Sequence, residues 1–290
     1  MREKYRSGHQ VHLFLLFPNH QVNDSPSDFT GGFAEPYLAY YDYPAPESVG
    51  RAHALIEEAL ETDGPFDGIL GFSQGAGLAL SYLLHHRINS PHTPSDFKFG
   101  IFFSTSSLQS PDPAYKRTEI MELLEALNEE HTLAFHEMIM SPTTTQKDFV
   151  DAPLTKALSP SQQKLMIELG WSLNVAWQTR DGLKITDEVE VLDQFKANTV
   201  SRELFPRFYH PVYTSERLSI PTVHSWGRND SEALKGSAAM GLELCSEGHA
   251  VCVPHAGRHE IPAKREEVMA IANAIEKAAF LGQQQAVVVV

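Results

Sequence analysis

Cysteine and long hydrophobic runs are both scarce in this 290-residue sequence. Its only cysteines, Cys245 and Cys252, are too far apart and too isolated for a zinc site of the usual spacing, so we expect free or buried thiols in a reducing compartment. No stretch approaches the roughly 20 apolar residues of a membrane-spanning helix. The charged N-terminus leads into an apolar run that is too short for a signal peptide. These features predict a cytoplasmic protein.

Positive charge is also in short supply. Lysine and arginine number 23 against 37 for aspartate and glutamate, which gives a formal net charge of -14 at pH 7. Such an excess of negative charge repels nucleic acids and anionic membrane surfaces, and this argues against binding to a polyanion. The length allows one large α/β domain or two smaller ones, with a sizeable core in either case.

One short motif gives the first indication of chemistry. The segment Gly71–Gly75 has the pattern Gly-x-Ser-x-Gly, which places Ser73 on a sharp turn between a strand and a helix. Because that turn strains the backbone at the serine, the residues two positions to either side must lack bulk, and both are glycine. The motif predicts a nucleophilic serine above the edge of a sheet; the alternative is a glycine-bounded serine in an ordinary strand-to-helix turn.

The surroundings of the motif have the required order of strand, turn and helix. Residues 66–72 form an apolar run typical of a buried strand, and residues 78–84 continue as a mostly apolar helix. Similar runs predict strands at 11–17, 99–104, 222–226 and 250–253, the first of them buried on both faces, and helices at 46–63 and 266–281. Strands that alternate with helices indicate an α/β fold with a mostly parallel sheet covered on both faces.

Three segments depart from this alternation. Residues 19–36 are polar and rich in turn formers, and the tyrosines just after them either line a site or pack a loop onto the core. These tyrosines are Tyr37, Tyr40, Tyr41 and Tyr43. Residues 283–290 have low complexity and are expected to fray.

The longest departure lies between residues 105 and 219. Helical patterns occupy 118–140 and 162–177, and an acidic segment spans 181–193. We expect residues 1–104 and 220–290 to form the core, with 105–219 as a helical cap over the strand ends beside Ser73. The alternative is a scaffold packed to one side.

A serine hydroxyl needs a neighbouring base, and that base needs a third group to orient it. In a fold with this elbow the partners follow in the order serine, acid, histidine. Asp230 follows the strand at 222–226 through a glycine-containing loop, and His259 lies between the last strand and the final helix. Both would lie at the same edge of the sheet as Ser73, which predicts a catalytic triad.

Other residues compete for these roles. His255 lies closer to its strand end and would more plausibly support or pack the site, and His224 lies within a strand as a core histidine. Asp230 could instead cap a turn. The weaker alternatives for the acid fall in the insertion and are Asp181, Asp187 and Asp193.

Taken together, three motifs resemble the FSH family of serine hydrolases, an α/β-hydrolase group common in fungi. They are Gly71–Gly75, the strand Pro221–His224 with Gly227-x-x-Asp230, and His255-x-Gly257-x-His259-x-x-Pro262. The resemblance implies an α/β-hydrolase fold with Ser73 as nucleophile, Asp230 as orienting acid, His259 as base and the backbone N–H of Gln74 as an oxyanion donor. It also implies carboxylesterase or thioesterase chemistry that needs no metal or organic cofactor.

The sequence differs from the family's pattern in two places. Family members usually begin with a strand that ends in a His-Gly loop and supplies a second oxyanion donor, and nothing before Val11 matches it. Either the first strand is missing from the sequence or the oxyanion hole is built differently. The second difference is Arg258, where the family more often has glycine; its side chain either contacts an anionic substrate or points to solvent.

Three functions are consistent with these residues. The first is hydrolysis of a small-molecule ester or thioester through an acyl-enzyme, on a polyketide-type secondary-metabolite intermediate, as the resemblance implies; a polyketide synthase carrier domain is a possible partner. The second is acyl transfer or cyclisation by the same triad. The third is a non-catalytic protein that binds a pathway intermediate. Labelling by a fluorophosphonate probe distinguishes the third from the other two.

Overall fold

Strands and helices alternate along the residues that the computed structural model describes, which are 11–16, 20–22, 37–41, 44–141, 143–182 and 206–288. The strands are β1 (Leu13–Leu15), β2 (His20–Val22), β3 (Tyr37–Ala39), β4 (Gly68–Phe72), β5 (Phe99–Phe103), β6 (Thr222–Ser225) and β7 (Ala250–Cys252). The helices are α1 (Pro46–Asp63), α2 (Gln74–Asn89), α3 (Arg117–Ala126), α4 (Glu129–Met140), α5 (Gln146–Asp151), α6 (Pro153–Lys156), α7 (Pro160–Gly182), α8 (Glu232–Glu243) and α9 (Arg265–Val288).

Five strands form one parallel sheet in the order β1-β4-β5-β6-β7. The central strands β4 and β5 are continuous apolar runs, as expected for strands that are covered on both faces. In the register, Phe72 pairs with Phe103 and Phe103 pairs with Ser225, so the carboxyl ends of these strands lie side by side. The residues that follow β4, β5 and β6 therefore meet at one edge of the sheet.

Helices cover the two faces of this sheet. On one face, Ile69 and Phe102 pack with apolar residues of α1 and α2, such as Ile56 and Leu80. On the other face, the alternate residues of the strands pack against α9, whose Ile271 belongs to that cluster. The buried stripe on α1 has helical spacing, and a proline in its first turn favours the start of the helix. The chain has the α/β-hydrolase fold.

The helices that lie between β5 and β6 in the sequence form a second apolar core. Helices α3 to α7 pack on one another around buried residues that include Leu123, Phe135, Phe149 and Met166. We call α3 to α7 the helical unit. It contacts the rest of the molecule partly through α7, where Trp171 lies beside Gly236 of α8. The acidic segment from residue 183 onward lies outside the described residues.

Three local predictions were wrong. Strand β1 is not buried on both faces, because it lies at the end of the strand order, and Leu15 is 44% exposed. Part of the predicted loop at 19–36 forms β2, which pairs antiparallel with β3. Helix α9 continues to Val288 through the segment expected to fray, and the glutamine and alanine residues there favour helix. No helix in the described ranges combines the length and apolar character that a membrane crossing requires.

Candidate active site

Ser73 occupies a strained turn between β4 and α2. Its backbone angles are φ 52° and ψ −118°, a region that residues other than glycine rarely adopt. Its N–H donates to the carbonyl of Phe103 over 2.9 Å, which ties the turn to the neighbouring strand. A Cβ atom on Gly71 would lie 2.4 Å from the carbonyl oxygen of Gly75, so the turn can close only if position 71 is glycine.

The structure brings the three predicted triad residues into one chain of hydrogen bonds. His259 Nε2 lies 2.8 Å from Ser73 Oγ, and His259 Nδ1 lies 2.9 Å from Asp230 Oδ2. A carboxylate beside Nδ1 favours the tautomer with its proton on that nitrogen. Nε2 is then free of a proton and can accept one from the serine hydroxyl.

The three residues of the triad differ in burial. The side chains of Asp230 and His259 are only 5% and 9% exposed. As whole residues, Asp230 is buried, and His259 and Ser73 are both half-buried. The second carboxylate oxygen of Asp230 accepts a hydrogen bond from the N–H of Ser231 over 2.8 Å, so both oxygens have partners. The ring of Phe72 packs against the imidazole, with 5.1 Å between the ring centroids. The acid and the imidazole are thus held in place.

Backbone hydrogen bonds join the loop that carries Asp230 to the loop that carries His259. Arg228 N–H donates to the carbonyl of His255 over 2.8 Å, and Asn229 N–H donates to that of Gly257 over 3.0 Å. At Gly227 the two loops approach so closely that a Cβ atom would lie 2.1 Å from the carbonyl oxygen of Arg258. Backbone hydrogen bonds, together with a glycine at position 227 that allows the close approach, therefore set the spacing between acid and base.

Gln74 begins α2 directly after the serine, where a helix leaves its N–H without an acceptor inside the helix. Its side chain holds a distant segment of the chain. The Oε1 atom accepts from the N–H of Tyr40 over 2.8 Å, and Nε2 donates to the carbonyl of Tyr41 over 2.9 Å. This clamp joins the serine turn to the residues that follow β3.

The competing residues lie elsewhere. His255 is buried, and its Nδ1 accepts from the N–H of Gly257 within its own loop. His224 is buried in β6, 3.2 Å from Thr222 Oγ1, and burial lowers its pKa to about 3. Asp187 and Asp193 lie outside the described residues, and Asp181 is in the last turn of α7.

In the described parts of the chain, no three His, Cys, Asp or Glu side chains are grouped as a metal site requires.

Two features near the serine could not be found from the sequence. Ser104, which directly follows β5, has φ 45°, and its buried hydroxyl has no hydrogen-bond partner among the described residues. Tyr40 is buried beside the serine turn, and Tyr40 and Tyr41 both pack in the core; Tyr43 lies outside the described residues. The side chain of Arg258 is exposed.

Strand β1 lies beside β4, the strand that leads into Ser73. Leu13 pairs with Gly68, and the N–H of Leu16 donates to the carbonyl of Leu70 over 3.2 Å. The loop that follows β1, residues 17–19, lies outside the described residues.

Comparison with known proteins identifies the family. The family model described as "Serine hydrolase (FSH1)" matches residues 19–271. The similar proteins include "Esterase alnB" of Emericella nidulans, 28% identical over 93% of this chain and 87% of that protein. "Serine hydrolase cnsH" of Penicillium expansum is 28% identical over 84% of this chain and 90% of that protein.

Similar solved structures are more distant. A Pyrobaculum calidifontis esterase is 14% identical with a TM-score of 0.38, covering 82% of this chain. The chain spans about three fifths, 61%, of that esterase's length. The match to the family model covers most of the sequence and includes all three residues of the hydrogen-bonded chain. The chain therefore belongs to the FSH family of serine hydrolases.

Proposed function

We propose that Ser73, His259 and Asp230 are the nucleophile, base and orienting acid of an ester-hydrolysing enzyme. The observation that carries this proposal is the pair of hydrogen bonds of 2.8 Å and 2.9 Å that join the three side chains in the order required. Their burial and the packing of Phe72 keep the imidazole in this orientation without a substrate. The arrangement is preorganised for proton transfer.

The reaction follows from the geometry. Ser73 Oγ attacks the acyl carbonyl as His259 Nε2 takes the hydroxyl proton, and Asp230 stabilises the imidazolium. The tetrahedral oxyanion accepts a hydrogen bond from the N–H of Gln74 at the start of α2. When the intermediate collapses, the bond to the leaving oxygen or sulfur breaks, and His259 returns the proton to that atom.

The second half repeats the same proton transfers with water. His259 takes a proton from a water molecule, the resulting hydroxide attacks the acyl-enzyme, and the bond between the acyl carbon and Ser73 Oγ breaks. The proton returns to the serine oxygen as the carboxylic acid leaves. The triad and the elbow provide every group that these steps use.

For the substrate, we propose an acyl ester or thioester from a polyketide-type secondary-metabolite pathway. Support comes from the family resemblance and from the fungal relatives, whose names include esterase and serine hydrolase. The acyl group would be presented as a small molecule or on a polyketide synthase carrier domain. Matched substrates with the same acyl chain, one a phenyl ester and the other an N-acetylcysteamine thioester, measure which bond is preferred.

We also propose that residues 105–219 act as a cap, with residues 1–104 and 220–290 as the hydrolase core. Trp171 of α7 lies beside α8, and α8 begins two residues after Asp230, which supports a position near the site. A cap there would limit water and select the acyl chain. Replacing Trp171 with alanine should change the preference between short and long acyl esters more than it changes the rate on the shortest ester.

Labelling with a fluorophosphonate probe tests the triad proposal. The wild-type protein should be labelled and should hydrolyse a short p-nitrophenyl ester, and Ser73→Ala should abolish both. Ser161→Ala, which changes an exposed serine of α7, is the matched control and should keep both. If the wild-type protein neither reacts with the probe nor hydrolyses the ester, the triad proposal is wrong and a protein that binds a pathway intermediate becomes the better account.

A further inference from the structure

The hydroxyl of Tyr40 is in an unusual environment. Tyr40 is 6% exposed, and its hydroxyl oxygen is buried without a hydrogen-bond partner among the described residues. A buried hydroxyl that lacks a partner destabilises a folded protein relative to phenylalanine at the same place. Packing alone therefore gives no reason for tyrosine at this position.

The position of this hydroxyl is defined by the serine turn. A Cβ atom built on Gly75 would lie 3.4 Å from Tyr40 Oη, 3.3 Å from Tyr40 Cε2 and 3.6 Å from Leu16 Cβ. The hydroxyl thus lies against the first turn of α2. Gly75 is the neighbour of Gln74, whose N–H is the oxyanion donor in the proposed mechanism. The Tyr40 hydroxyl therefore lies beside the residue that directly follows the proposed oxyanion donor.

The side chain of Gln74 fixes Tyr40 in this place. It accepts from the N–H of Tyr40 over 2.8 Å and donates to the carbonyl of Tyr41 over 2.9 Å. The ring also belongs to the core cluster on the α2 face of the sheet. The backbone and the ring of Tyr40 are thus both held in place. This meets the requirement that an oxyanion donor be positioned before the reaction begins.

From these observations we propose that the Tyr40 hydroxyl is a catalytic residue that donates a hydrogen bond to the tetrahedral oxyanion, together with the N–H of Gln74. The inference rests on the proposed function and supplies the second donor that the sequence did not reveal. Burial also raises the pKa of Tyr40, so the hydroxyl keeps its proton and remains a donor at neutral and alkaline pH. The hydroxyl has no partner among the described residues, and in this proposal it acquires one when negative charge develops on the substrate.

Tyr40→Phe tests this proposal because it removes only the hydroxyl. We expect kcat on a short p-nitrophenyl ester to fall by about a hundredfold, with KM changed less than threefold. Affinity for a trifluoromethyl ketone, which forms a tetrahedral adduct with a serine, should fall by a similar factor. The melting temperature should stay the same or rise, because an unpaired buried hydroxyl has been removed.

Tyr115→Phe is the matched control. Its hydroxyl is also buried without a partner in the described residues, but its ring packs against Tyr209, 4.9 Å between centroids. This variant should keep the wild-type kcat and inhibitor affinity. An unchanged kcat in Tyr40→Phe, or a loss that appears only in KM, overturns the inference even if Ser73 is confirmed as the nucleophile. If the wild-type enzyme has no hydrolysis that depends on Ser73, the inference and the proposed function both fail.

A second variant, Gln74→Ala, covers the case in which Tyr40→Phe does not fold. Gln74→Ala keeps the backbone N–H but releases the clamp, so it should lower kcat about tenfold if Tyr40 then moves out of position. If Gln74→Ala keeps the wild-type kcat although the clamp is lost, the proposal is contradicted. Where both variants fold, Gln74→Ala should cost much less in the Tyr40→Phe background than in the wild type, and additive losses would contradict the role of the clamp.

Discussion

The two sides of Ser73 are built in different ways. On the side of the acid and the base, the loops after β6 and β7 are joined by backbone hydrogen bonds of 2.8 Å and 3.0 Å, and both oxygens of Asp230 have partners. On the other side, one glutamine side chain joins the serine turn to the segment of Tyr40, whose hydroxyl is unpaired within the described residues.

The two sides therefore position their groups by different means. Backbone hydrogen bonds fix the distance between acid and base whatever most of the side chains are, whereas the position of Tyr40 depends on one residue, Gln74. The acid and base side should therefore tolerate most side-chain changes and fail only when its backbones are forced apart. The opposite side should respond to a single side-chain deletion.

Gly227→Ala should give the largest loss of activity, because it forces apart the backbones of the two loops that carry the acid and the base. The added Cβ atom would lie 2.1 Å from the carbonyl oxygen of Arg258 and 2.4 Å from that of Gly257, so the two loops must separate. We expect kcat/KM to fall by about a hundredfold or more, since small displacements of reacting groups cost this much, and the melting temperature to fall as well.

The matched control for this change is Gly236→Ala in α8. There the nearest neighbour of the added Cβ atom is Trp171 Nε1 at 3.9 Å, and alanine favours helix over glycine by up to about 1 kcal/mol. Activity should be unchanged and thermal stability equal or higher. Equal activity losses in the two glycine variants would show that the closeness of the loops at Gly227 is unimportant.

A pair of amide deletions compares the two sides directly. Asn229→Ala removes the hydrogen bond from Nδ2 to the carbonyl of Ala256, 2.6 Å long, but leaves the backbone bonds between the loops intact. Gln74→Ala removes the whole clamp on Tyr40. We expect kcat to fall about tenfold for Gln74→Ala and less than threefold for Asn229→Ala. Steady-state kinetics on one ester measures both, and the reverse order would contradict the comparison.

The smallest expected effect concerns stability in acid, to which two buried histidines contribute. Burial lowers the pKa of His224 in β6 to about 3, and burial together with repulsion from His85 lowers that of His53 in α1 to about 3. Below the ordinary pKa of about 6.5 the unfolded chain takes up protons that the folded protein excludes. The free energy of unfolding should therefore fall as the pH drops from about 6.5 to about 3, by about 1.4 kcal/mol per pH unit for each histidine.

Urea unfolding of wild type, His53→Gln and His224→Gln between pH 4 and pH 7 measures this contribution. Each substitution should reduce the slope below pH 6.5 by one proton, and the two reductions should be similar. The variants serve as controls for one another, because they lie on different elements. A slope that neither substitution changes would mean that other groups determine acid stability.

Local patterns were sufficient to predict most of the fold. The apolar runs of β4 and β5 and the spacing of buried residues in α1 predicted those elements closely, since burial on both faces or along one stripe leaves a clear signal in the sequence. The exposure of β1 was mispredicted because an edge strand with an apolar sequence looks like a central one. Its position depends on strand order, which no local pattern encodes.

The candidate site was likewise predictable only in part. Ser73, Asp230 and His259 each follow a predicted strand, so their meeting at one sheet edge could be predicted from topology. The clamp of Gln74 on Tyr40 joins residues that are 34 positions apart through side-chain atoms, and nothing in either segment indicates the other. The unpaired hydroxyl of Tyr40 and the positive φ of Ser104 are properties of the folded chain alone.

The separate apolar interior of the helical unit has a consequence for engineering. Its buried residues, such as Phe149 and Met166, belong to a cluster distinct from those on the two faces of the sheet. Redesigning that interior, or grafting the equivalent helices of another hydrolase, would leave the packing under the serine turn and the two loops unaltered. If the proposed cap selects the acyl chain, this selectivity could then evolve, or be exchanged in the laboratory, independently of the triad.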